Sequence, residues 1–150
     1  MNLNFREIKN EDFANCAENL VAAYSGEPWN NMWTKKEALL RIEATMSGFN
    51  ARGYVVEESD KIIAMCLGRI DYYFSDWSQF CIDEINVVPA YQGKGVGKKL
   101  LTFVFDIMKN DEINSIFLIT GEKRAAKFYK SNGFVKSNDG IMMEYDLQNN

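Results

Sequence analysis

A strand that runs into a glycine-built turn and out again into a helix leaves few folds open, and residues 79–108 read that way. Residues 79–88 have the composition of a strand, while Val96, Leu100, Val104, Ile107 and Met108 recur at the three- and four-residue spacing of a buried helix face. Between the two lies Gln92-Gly93-Lys94-Gly95-Val96-Gly97. Without Cβ atoms, several backbone N–H groups can converge on one point, and a helix start adds unbonded N–H groups and the positive end of a dipole. The stretch predicts a main-chain cradle for pyrophosphate.

The register separates this loop from two other phosphate loops. A P-loop requires G-x-x-x-x-G-K-[ST], but Lys98 stands five residues after Gly93, and Lys98-Lys99-Leu100 supplies no hydroxyl for magnesium. A dinucleotide fingerprint requires G-x-G-x-x-G, but counting from Gly93 or Gly95 places Lys98 or Leu100 at the third glycine. ATP hydrolysis and nicotinamide chemistry are both disfavoured.

The pattern that does fit is Q/R-x-x-G-x-G, preceded by V-x-P-x-Y at Val87 to Tyr91. It resembles the coenzyme A loop of the GNAT superfamily of N-acetyltransferases. Residues Ala125-Ala126-Lys127-Phe128-Tyr129-Lys130-Ser131-Asn132-Gly133-Phe134 resemble the second signature of that family, A-x-x-F-Y-x-x-x-G-F. The resemblance implies an α/β (α+β) GNAT fold, with a central mixed sheet of six to seven strands flanked by about four helices, as a single domain over residues 1–150. It implies acetyl-CoA as co-substrate, held by Val87, Val88, Gln92, Gly93, Lys94, Gly95, Val96, Gly97 and Lys98. The contacts at Val87 and Val88 would be main-chain ones, the pantetheine arm pairing like an extra strand. A Pro28-Trp29-Asn30 segment ahead of a helix is similar to small-molecule acetyltransferases that include aminoglycoside 6'-N-acetyltransferase-like proteins.

Composition narrows the chemistry. At 150 residues a single domain buries roughly 68–70% of its unfolded surface, enough for one sizeable core. Histidine is absent, which removes Ser-His-Asp and Cys-His catalysis and most zinc sites, so no metal is expected. Any general base is a carboxylate, a tyrosine or water. The net charge of -4 without a basic stripe argues against nucleic acid and anionic membranes as partners. No apolar run approaches ~20 residues and the first residues lack signal-peptide regions, so a cytoplasmic location is expected. Cys16, Cys66 and Cys81 lie in apolar surroundings without a C-x-x-C pair, and read as buried free thiols.

In chain order, residues 3–8 read as an edge strand. A helix follows with Asn10 as N-cap and Phe13, Ala17, Leu20, Val21 and Tyr24 as its apolar face. Thr34 to Glu37 form a capping box opening a second helix to about Ser47, with Leu39, Ile42 and Met46 buried. Residues 54–56 and 62–73 read as a hairpin around Ser59-Asp60. Residues 116–119 form a short continuous apolar run, typical of a buried parallel strand. A helix from Glu122 to Asn132 ends at Gly133, and strands near Phe134 and at residues 141–147 complete the chain.

Acetyl transfer to an amine needs a base for the incoming ammonium, and Asp83-Glu84 precede the glycine loop. Strand alternation allows only one of them into the site. Glu84 is favoured, because the related aminoglycoside-modifying branch carries an acid eight residues before the position of Gln92; Asp83 is the substitute, and the base can act through water. The resemblance makes Tyr129 the acid that protonates the coenzyme A thiolate, whereas its helical spacing alone reads as a core aromatic. No acyl-enzyme is implied. Many relatives carry an asparagine where this chain has Glu122, so either that carboxylate points away from the phosphates or Thr120, Lys123 or Arg124 replaces the contact. Two loops rich in aromatics and acids, with Glu27, Trp29 and Trp33 in one and Tyr72 and Trp77 in the other, suit a small cationic amine such as an aminoglycoside or polyamine. They would serve equally as a hydrophobic cap or a homodimer contact. A peptide or protein acceptor, a longer acyl donor and an acyl-CoA-binding module without turnover stay open.

Overall fold

The computed structural model describes residues 1–148. The chain divides into two compact units, Met1–Ile119 and Thr120–Asn150. In the first, β1 (Leu3–Glu7), β2 (Ala51–Glu58), β3 (Lys61–Tyr72), β4 (Ser78–Val87) and β5 (Ser115–Phe117) form one sheet in that order. Every pairing is antiparallel except β4 with β5, which is parallel. Three helices join them: α1 (Phe13–Ser25), α2 (Lys35–Thr45) and α3 (Val96–Asn110).

Local sequence accounts for most of these boundaries. Thr34 and Glu37 close the expected capping box, Glu37 N–H donating to Thr34 Oγ1 at 3.1 Å and Thr34 N–H to Glu37 Oε1 at 2.9 Å. Ser59 and Asp60 both take positive φ, 51° and 64°, the geometry of a two-residue turn whose twist matches the flanking strands. Asn10 does not cap α1. It lies in a 3-10 turn, Asn10–Asp12, where buried Asp12 accepts from Lys9 N–H at 2.7 Å and from Arg6 at 2.7 and 2.9 Å.

The two faces of the sheet bury different partners. Cys16, Ala17 and Leu20 of α1 and Ala38 and Ile42 of α2 pack on Val55, Met65 and Leu67. Tyr54 alternates with Val55 to the opposite face. There it meets Phe103 of α3 edge-on at 5.9 Å, while Phe5 stacks on Phe103 at 5.3 Å. The buried stripe of α3 is Val96, Leu100, Leu101, Val104 and Met108.

One irregularity shapes β4. Leu67 pairs with Glu84, but Gly68 pairs with Ile82, leaving Asp83 as an extra residue in a β-bulge. The chains approach so closely here that a Cβ on Gly68 would lie 2.0 Å from the Cys81 carbonyl oxygen.

The second unit contains α4 (Lys123–Ser131), which stops at Gly133 with φ of 95°. Five strands form instead of six to seven, because no strand forms at Phe134 or over 141–147 among the described residues. Ile141, Met143, Tyr145 and Leu147 alternate as expected, but all are exposed. A period of two marks what a strand would bury; only pairing with a neighbour makes the strand. No helix of the described residues is long and apolar enough to cross a membrane.

Candidate active site

Pro89–Tyr91 form a 3-10 turn after β4, and the Gln92 side chain reaches back to donate to the Val87 carbonyl at 2.9 Å. Gly93 and Gly95 have φ of 74° and 82°, and a Cβ on either would meet nothing within 4 Å. Backbone conformation, not space, requires glycine at both positions. Gly95 is the N-cap of α3 and has no side chain to cap it, so the first N–H groups of the helix, those of Val96, Gly97 and Lys98, have no partner within it. Lys94 and Lys98 are exposed beside this turn, Lys94 Nζ lying 5.4 Å from the Tyr91 ring centroid. A hydrogen bond to Glu58 raises the Tyr91 hydroxyl above its ordinary pKa. An exposed helix start with open N–H groups and cations fits a pyrophosphate.

β4 approaches this turn with a free edge. Its pairing with β5 covers only Gln79–Cys81, so in the first unit no strand pairs with Ile82–Val87 on that side. Val88 N–H donates to Ile63 at 2.9 Å and the Val88 carbonyl accepts from Tyr91 N–H at 2.9 Å. Antiparallel alternation therefore turns the N–H groups of Ile85 and Val87 toward the open edge. The N–H of Val87 is thus left toward that edge, whereas both main-chain groups of Val88 are already engaged.

The bulge changes what Asp83 and Glu84 can do. Leu67, opposite Glu84, faces the α1–α2 layer, and Arg69, two residues along β3, shares that face. Asp83 accepts from Arg69 Nη1 at 2.7 Å, so the extra residue puts both carboxylates on one face where regular alternation would separate them. Glu84 is the more enclosed of the two, its side chain 11% exposed. Arg41 Nε of α2 donates to Oε1 at 3.0 Å, and the Tyr24 hydroxyl of α1 donates to Oε2 at 2.9 Å. Arg41 Nη2 also donates to the Asp83 carbonyl at 3.1 Å.

Of the expected acceptor residues, Trp29 reaches this cluster through Tyr24, its ring edge-on to Tyr24 at 5.0 Å. Trp33 packs against the α1–α2 core, and Glu27 is exposed in the loop between those helices. Tyr72 and Trp77 are not brought to the same place. They line a separate cavity of about 460 Å³ with Arg52, Asp76, Asp111 and Glu112. Glu84 lies six residues from Ser78 along β4, roughly 20 Å at strand rise. The cavity of Tyr72 and Trp77 lies at the start of β4, away from Glu84.

Sequence reasoning missed Arg41 and saw only the ring of Tyr24, as part of an apolar helix face. Neither had a local signal, since their partner lies 43 and 60 positions away. Asn86 was missed as well. It is 7% exposed, and neither Nδ2 nor Oδ1 has a hydrogen-bond partner among the described residues, an arrangement that costs on the order of 1–3 kcal/mol.

In the second unit, Glu122 is the N-cap of α4, its carboxylate accepting from Ala125 N–H at 2.7 Å. The carboxylate is engaged by the start of its own helix. Tyr129 is half-buried with its ring edge-on to Phe128 at 5.4 Å and Phe134 at 5.5 Å. The three thiols are buried, and desolvation pushes Cys16 and Cys66 up to about 12 and Cys81 to about 11. None is placed as a nucleophile.

Known proteins share this fold. The profile of the family described as "Acetyltransferase (GNAT) family" matches residues 14–134. The "Uncharacterized N-acetyltransferase ycf52" of Gracilaria tenuistipitata var. liui is 31% identical over 58 residues, 39% of this chain and 31% of that protein. The chain therefore spans about a third of this curated relative. A possible acetyltransferase from Clostridium difficile 630 superposes with a TM-score of 0.81 at 19% identity, over 97% of each chain. AAC(6')-Iy in complex with the bisubstrate analog CoA-S-monomethyl-acetylneamine superposes with a TM-score of 0.74 at 15% identity, over 97% of this chain and 99% of that one. These likenesses at low identity concern the fold.

Proposed function

The chain belongs to the Acetyltransferase (GNAT) family, and from that premise we propose that it transfers an acetyl group from acetyl-CoA to the primary amine of a small cationic molecule. The family match runs across the junction at Ile119–Thr120, which supports one functional domain over residues 1–150. The observation that carries the reading is the open edge of β4 leading into an uncapped, glycine-built helix start.

On this reading the N–H groups of Val96, Gly97 and Lys98 hold the pyrophosphate, with Lys94 and Lys98 adding charge, and Val87 N–H holds the pantetheine arm. Gln92 fixes the turn through Val87. Glu84 takes a proton from the incoming ammonium, directly or through water. The amine nitrogen then attacks the thioester carbon, a C–N bond forms, and the C–S bond breaks. Tyr129 gives the departing thiolate its proton, and the surplus proton of the acylated nitrogen passes through water to the tyrosinate, leaving neutral amide and free coenzyme A. Trp29 and Glu27, in the loop after Tyr24, present an aromatic face and a carboxylate to a cation. An aminoglycoside or a polyamine has that chemistry, and the fold shared with AAC(6')-Iy supports the first.

Calorimetric titration with acetyl-CoA tests the donor site. Thiol release with neamine, spermidine and a lysine-containing peptide then tests the acceptor class. Micromolar binding with turnover on neamine or spermidine is expected; turnover on the peptide alone would replace the acceptor class, and absence of binding up to millimolar acetyl-CoA would end the reading. The Arg41–Glu84 ion pair favours one second reading, an acyl-CoA-binding module whose carboxylate is structural. Binding without release on any of the three amines would establish it.

A further inference from the structure

We infer that the Asn86 carboxamide is a catalytic group of the same site, which rests on the acetyl-transfer reading above: its Nδ2–H donates to the acyl oxygen as that oxygen becomes anionic, and its Oδ1 accepts from an N–H of the attacking amine.

Buried polar atoms are almost always hydrogen-bonded, and one that is not calls for a reason. Here both atoms of one side chain are orphaned, and the residue is 7% exposed. Its position supplies the reason. Asn86 pairs with Met65, a member of the cluster under α1 and α2, so its side chain shares the face of Glu84, which pairs with Leu67 of the same cluster. They stand two positions apart, about 7 Å along the strand. Both lie in the part of β4 that, among the described residues, has no strand partner on its other edge.

A carboxamide offers one donor and one acceptor side by side, which complements an amine N–H meeting an acyl C=O. The tetrahedral intermediate carries that same pair, with negative charge on the oxygen, so the donor gains most in the transition state. Glu84 receives the proton that Asn86 cannot take, and the two side chains have separate tasks.

The test uses Asn86→Leu, which replaces both orphaned atoms with methyl groups of similar volume, and Asn86→Asp, which keeps an acceptor and removes the donor. Thiol release from acetyl-CoA is followed with neamine and with spermidine, beside thermal unfolding and acetyl-CoA titration. Asn86→Leu is expected to raise Tm by a few degrees, lower kcat about 100-fold and leave acetyl-CoA affinity within 2-fold. A residue serving only the fold would do the reverse, losing Tm and keeping kcat. A kcat within 3-fold of the parent in Asn86→Leu would overturn the inference; if that variant does not fold, the same result in Asn86→Asp would. Turnover by the parent protein separates this outcome from failure of the acetyl-transfer reading, which would remove both.

Discussion

Arg41 holds Glu84 from two directions, through the carboxylate at 3.0 Å and through the carbonyl of the preceding residue, Asp83, at 3.1 Å. A planar fork can grip a side chain and its backbone together, and an ammonium cannot. The pair fixes where the Glu84 carboxylate stands on β4.

Glu84→Gln keeps the shape of this cluster and removes its basicity. Turnover should fall about 100-fold or more, the usual contribution of a positioned base, while acetyl-CoA affinity stays constant. Steady-state kinetics beside calorimetry check this, and unchanged kcat would transfer the role to water or Asp83.

Gly95→Asp places a side chain and a negative charge at the start of α3. Nothing lies within 4 Å of its Cβ, so the fold should lose only about 1–2 kcal/mol from the left-handed backbone. Acetyl-CoA binding should disappear. Denaturant unfolding and titration separate the two effects, and retained affinity would move the phosphate site elsewhere.

Tyr129→Phe removes one hydroxyl and keeps the ring that meets Phe128 and Phe134. Turnover should fall at least 10-fold, as steady-state kinetics would show. A core aromatic with no acid role would show no change in kcat.

Gly68→Ala forces a Cβ against the Cys81 carbonyl oxygen. Overpacking of this kind costs about 1–3 kcal/mol, and the strain falls on the bulge that aims Asp83 and Glu84. Both Tm and turnover should drop, with acetyl-CoA affinity less affected, as thermal unfolding and kinetics would show.

The Arg6 hydrogen bond lowers the pKa of Asp12 below the ordinary value of about 3.9, despite an opposing effect of burial. A depressed carboxylate pKa stabilises the fold fully above the unfolded value and loses that contribution as pH falls through the folded one. Asp12→Asn should therefore cost stability at pH 7, and the difference from the parent should shrink below about pH 4. Urea titrations at pH 7, 4 and 2.5 check the sign.

Much of this was legible along the chain because it is local. The Thr34–Glu37 box, the Ser59-Asp60 turn and the glycines before α3 are decided by neighbours a few residues apart. The bulge at Asp83 was not, since it depends on the register of β3 against β4. For the same reason alternation misled about Asp83 and Glu84, which the extra residue brings to one face. Arg41 read as part of the polar side of a helix because its partner is 43 residues away. At the other extreme, Ile141 to Leu147 have the alternation of a strand without forming one.

The burial of Cys16, Cys66 and Cys81 also determines how turnover can be seen. With every thiol of the protein protonated and enclosed, an aromatic disulfide reagent will colour only with the coenzyme released at each catalytic cycle. Unfolding in denaturant should then add three equivalents of colour, giving each preparation an internal measure of its own concentration.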